Sequence, residues 1–151
     1  MIDVNAFWAR VRSGACTVDS LFFHNGQLIT MLMYSILIKD FALMESLLSA
    51  NADPNIKTPS HDAAIFIAVR TWGNHTDTFQ KILSILSSST SPSIGVLWDI
   101  RTVASMNAIH LATSMGMASA CIYLEMAGVP TNACTSSGQT TSFYKYRMAV
   151  V

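Results

Sequence analysis

The sequence predicts an all-α solenoid of stacked helix–turn–helix units, and three observations predict it. Residues 107–133, NAIHLATSMGMASACIYLEMAGVPTNA, align without a gap beneath residues 30–56, TMLMYSILIKDFALMESLLSANADPNI, with apolar and small positions coinciding over 27 columns. Similar starts occur at Ala63 (AAIFIAV) and, cut short, at Thr140, so the four starts lie 33, 44 and 33 residues apart: two identical intervals, and one equal to the same period plus 11 residues. Each period carries two short apolar segments of helical spacing and then a stretch holding Gly, Asn, Asp or Pro, which is a pair of helices and a loop. One domain then covers the 151 residues, with units at approximately 1–29, 30–62, 63–106 and 107–139 and a closing helix at 140–151.

In the first unit, Gly14 and Gly26 stand 12 residues apart, as Gly116 and Gly128 do, which places a unit before Thr30 with its first helix at Val4 to Arg12. Phe7 and Trp8 are bulky there, and a terminal repeat is expected to be atypical because one side has no neighbour. In the second unit, the uncharged run Leu28 to Ile38 is 11 residues long and stops at Lys39-Asp40. That is short of the roughly 20 residues that span a bilayer, so it reads as a buried helix. The third unit holds the 11 extra residues, which are expected in its helix–helix turn, TWGNHTDTF, and in the connection SSSTSPSIGVLWDIRTVASM, with Ser87 to Ser93 flexible. In the fourth, helix one covers about Asn107 to Met115 with Ile109, Leu111 and Ala112 inward. Gly116 turns the chain, helix two runs from about Ala118 to Met126, and Gly128 caps it. The final TTSFYKYRMAVV reads either as a closing helix with Lys145 and Arg147 outward or as an apolar edge of Phe143, Tyr144 and Met148 left to dock elsewhere.

Composition narrows the function classes. The chain is 51% hydrophobic and 12% charged, against roughly 25% charged in ordinary soluble domains. Nine basic residues balance nine acidic ones, so there is no electrostatic footprint for nucleic acid or an anionic membrane. The amino terminus, MIDVNAFWARVRSG, has no basic leader or long apolar centre, so no secretory signal is expected. Cys16, Cys121 and Cys134 are odd in number and lack a C-x-x-C pair, which points to reduced, mostly buried thiols and a cytoplasmic protein. His24, His61 and His75 fall in turns of other units, away from ligand spacing with His110, so neither metal nor cofactor is expected. The chain has no G-x-S-x-G, no Gly-rich phosphate loop and no H-E-x-x-H, and Asp3, Asp19, Asp40 and Glu45 are scattered singly. An enzyme is not expected.

The starts NAIHLA, TMLMYS and AAIFIA, the helix-two ends LLSANADPN (Leu47 to Asn55) and LEMAGVPTN (Leu124 to Asn132), and the 33-residue period together resemble the ankyrin repeat, whose units open with T-P-L-H-x-A. The resemblance runs from about Val4 to Tyr146. Lys39 and Asn51 stand where that family prefers glycine, so those turns are expected to be strained. His110, with Asn107 in the motif's Thr position, is implied to be a structural histidine that fixes the start of a helix.

The resemblance also implies a protein–protein interaction module that meets its partner on a concave face and at loop tips. The matching helix-one positions are Leu37, Ile38, Arg70, Thr71, Ser114 and Met115. The matching tips are Pro59, Ser60 and Asp62, then Ser136, Ser137 and Gln139. Several are apolar, which suits an apolar or helical segment of another protein, although Leu37, Ile38 and Met115 would equally serve packing. Trp72 and Trp98, beside the irregular interval, read either as a binding anchor or as a plug in the gap. Two other readings stay open: a substrate-recognition domain of a larger enzyme, such as a bacterial effector delivered into a host cytoplasm, and a small inhibitor or immunity protein.

Overall fold

The computed structural model describes residues 3–89 and 107–127. In chain order the elements are α1 (Val4–Ser13), β1 (Phe22–His24), β2 (Gln27–Ile29), α2 (Met31–Leu37), α3 (Phe41–Ser49), α4 (Ala64–Trp72), α5 (Thr76–Ser89), α6 (Ala108–Ser114) and α7 (Ala118–Ala127). Three helix pairs, α2/α3, α4/α5 and α6/α7, stack in register. Helix one packs on helix one, α2 on α4 and α4 on α6, and helix two on helix two, α3 on α5 and α5 on α7. Such stacking buries a continuous core that no single pair could bury alone.

Burial explains the composition. Helix one is covered on almost every side: all residues from Met31 to Ile36 and from Ala64 to Val69 are buried. Helix two buries one face only, as in α3, where Leu43, Met44, Leu47 and Leu48 are inside. In the row of helix ones, Ser35, Ala68 and Ala112, three small residues at equivalent positions, are each 0% exposed. The Ser35 hydroxyl donates to the Leu32 carbonyl at 2.6 Å, so its burial leaves no polar group unmet.

Helix starts follow from short polar side chains. The Thr30 hydroxyl accepts from the Met33 N–H at 3.3 Å, and the Asp40 and Asp3 carboxylates cap α3 and α1 in the same way. At α6 the cap is reciprocal: the Asn107 side chain accepts from the His110 N–H at 3.0 Å, while the His110 ring Nδ1 accepts from the Asn107 N–H at 3.2 Å. Both residues are 0% exposed. Ala63, at the same place in the third unit, has no side chain to offer. There the preceding loop is tied instead, by the Asp62 N–H donating to the Thr58 hydroxyl and the Thr58 N–H donating to the Asp62 carbonyl.

Several expectations need correction. The Gly14-to-Gly26 interval holds no second helix. A two-stranded antiparallel hairpin follows α1, pairing Phe22 with Ile29, Phe23 with Leu28 and His24 with Gln27. Asn25 and Gly26 turn it with φ of 50° and 80°, the positive values that a tight I′ hairpin turn requires. The apolar run from Leu28 accordingly divides at Thr30 into a strand and a helix, and Ile38 at its end is 46% exposed. The turn TWGNHTDTF takes none of the extra residues: three residues separate Trp72 from Thr76, as they separate Leu37 from Phe41 and Ser114 from Ala118. The helices take part of the insertion, α4 having 9 residues against 7 in α2 and α6, and α5 having 14 against 9 in α3. Ser87, Ser88 and Ser89, expected to be flexible, form the last turn of α5. Leu111 is only partly buried. Gly128, the closing helix 140–151, Trp98 and most of the long connection lie outside the described residues.

Candidate functional site

Helix one packs on helix one along the stack, and the chain before each of α2 and α4 lies beside that row. Between them lies a groove of about 870 Å³. Its wall is helix one: Leu37 and Ile38 from the end of α2, Ile67, Arg70 and Thr71 from α4, and Leu111 from α6. Its rim is the hairpin, contributing His24, Asn25, Gln27 and Ile29, together with Ser60, His61 and Asp62 from the loop before α4.

The rim is held in shape by local chemistry. Phe22 and His24, on the inward side of β1, meet the Tyr34 ring edge-on at centroid distances of 6.2 and 5.2 Å, while Phe23 between them is 75% exposed. Loop 58–62 closes on itself through the Thr58 bonds, and His61 has φ of 61°. The Asp62 carboxylate then serves two partners. One oxygen accepts from the Ala63 N–H at 3.0 Å, and the other pairs with the Arg70 guanidinium nearly two helical turns into α4. An ion pair this exposed contributes about 0–1 kcal/mol. Its main effect is to orient the arginine along the groove wall.

Of the residues that the sequence singles out, Leu37, Ile38, Ser60, Asp62, Arg70 and Thr71 are brought together in this groove. Pro59, Ser114 and Met115 are exposed but do not line it. Trp72 points elsewhere: its indole N–H donates to the Ile36 carbonyl at 2.7 Å, His75 packs on it edge-on, and the Lys39 ammonium lies 5.7 Å from its ring centroid. These contacts join the third unit to the second. Trp98, Ser136, Ser137 and Gln139 lie outside the described residues. The hairpin rim was missed. The Asn25-Gly26 dipeptide between two apolar runs was the available signal for it.

Among the described residues, no group of three His, Cys, Asp or Glu side chains could hold a metal ion, and no helix is long and apolar enough to cross a membrane. A second, smaller pocket of about 340 Å³ lies between α1 and the hairpin, where Phe7, Cys16, Phe22 and Met31 meet Asp3 and Arg10.

No family model matches the sequence, and no curated protein matches it. Its fold does match a solved structure. The chain superposes on the crystal structure of the ankyrin repeat domain of Bcl-3, described as a unique member of the IκB protein family, with a TM-score of 0.75 and 17% sequence identity. The match covers 95% of this chain and 59% of that one. At that identity the likeness is one of fold: this is an ankyrin-repeat solenoid.

Proposed function

We propose that the protein is a recognition module that binds a segment of another protein in the groove between the row of helix ones and the rim. The observation that carries this reading is the groove itself, an apolar wall beneath a rim of polar side chains. Rigid repeats present such a surface without needing to reorganise it. The ankyrin-repeat fold is an interaction scaffold, and a groove lined by helix-one side chains supports that use here. Finer readings share this face: a substrate-recognition domain of a larger enzyme, and a small inhibitor. They differ in what the captured partner does. A cytoplasmic setting, the cell's own or a host's, fits the odd number of cysteines.

Affinity capture with groove and control variants tests the reading. Thr71→Trp fills the groove from its wall, and Met126→Ser changes an exposed residue on α7, 75% exposed and outside the groove. The reading expects the wild type and Met126→Ser to retain the same partner while Thr71→Trp loses it with its thermal unfolding unchanged. Equal capture by all three would reject the groove as the binding face.

A further inference from the structure

We infer that the groove takes an apolar peptide segment carrying one internal Asp or Glu side chain, and that Arg70 reads that carboxylate. The inference rests on the recognition reading above and adds the chemistry of the partner.

Among the described residues, Asp62 and Arg70 are the only Asp, Glu, Lys or Arg residues lining the groove, and they are not equivalent. Each oxygen of Asp62 already accepts one bond, from the Ala63 N–H and from Arg70, and its side chain is 18% exposed. The Arg70 side chain is 41% exposed. Its guanidinium carries five N–H donors in a planar fork, and the described bond to Asp62 uses one nitrogen, Nη2. A guanidinium can hold two carboxylates at once, so the internal pair orients the fork without saturating it. Leu37, Ile38, Ile67 and Leu111 beside it keep the surroundings apolar, which strengthens a charge-assisted bond made there. Among the described residues, the groove therefore presents a cationic donor that is more open to a partner than the carboxylate beside it. Charge complementarity selects an acid, and a basic side chain at the same place would meet a like charge.

The probe is a library of random 12-residue peptides displayed with their carboxyl ends fused to a carrier and selected on the full chain. Enriched sequences are expected to hold Asp or Glu between apolar residues. A synthetic, amidated peptide of that sequence should lose about tenfold in affinity when its acid becomes Gln, and a similar factor on Arg70→Gln, the two losses not adding. Asp62→Asn keeps an acceptor for the Ala63 N–H but removes the competing charge, so it should tighten binding by about two- to fivefold. If the ion pair only held the loop, both protein variants would weaken binding alike, and that result overturns the inference. So does an acid-free or basic consensus. Acid-free peptides that are lost on Thr71→Trp would leave groove recognition standing and remove the role of Arg70. Peptides indifferent to Thr71→Trp, or no enrichment, would remove both.

Discussion

Lys39 and Asn51 hold left-handed backbone, with φ of 60° and 68°, where glycine would sit with less strain. A non-glycine residue there costs about 1–2 kcal/mol, and the extra freedom of glycine in the unfolded chain returns about 0.5–1. Lys39→Gly is therefore expected to raise the thermal midpoint modestly, the gain trimmed by loss of its contact with Trp72; a lowered midpoint would contradict the strain. Gly116, with φ of 75° at the equivalent turn, should respond oppositely, Gly116→Ala losing about 1 kcal/mol in a denaturant titration. Gly73 differs again. Its backbone is right-handed, but an added Cβ would strike the Val69 carbonyl and the Met117 sulfur. Gly73→Ala should cost about 1–3 kcal/mol as overpacking. A neutral result would mean that the turn can shift away from α7 without loss. At Asn107 the reciprocal cap is buried, so Asn107→Ala should cost about 1–2 kcal/mol by the same titration.

The helix pairs were legible because stacking imposes one requirement on every copy. Helix one is buried on nearly all sides, so each start must be small and apolar at the same places, and Ser35, Ala68 and Ala112 record that directly. Terminal and irregular elements were less legible. Between α1 and α2 the spacing of two glycines mimics the turn-to-turn distance of a complete unit, yet Gly14 ends a helix and Gly26 turns a hairpin. Strands of three residues are too short to display alternation, and only Asn25-Gly26 marks them. The irregular interval points to the turn and the long connection of the third unit, whereas apolar spacing continues along α5 to bury Phe79, Ile82, Leu83, Ile85 and Leu86. Of the site, the helix-one wall could be read from the period, while the hairpin rim could not. Gly26→Ala is expected to cost about 1 kcal/mol and to weaken partner binding at the rim while leaving the circular dichroism of the helices intact. Unaltered binding would show that the hairpin is not part of the face.

Across the whole molecule, the helix pairs touch only their neighbours in sequence order among the strongest contacts described, so coupling runs from unit to unit. The row of helix ones forms the wall of the groove. Helix two has an exposed face outside the groove, with Glu45, Ser46 and Gln80 in solvent. Recognition by this fold should therefore leave one side of the stack unchanged. Hydrogen–deuterium exchange of the chain alone and with its captured partner tests that most directly. Slowed exchange is expected at residues 24–29, 37–38, 60–62 and 67–71, with α3 and the outer face of α5 unaltered. Slowing confined to α3 and α5, with the groove residues unchanged, would contradict the proposed recognition face.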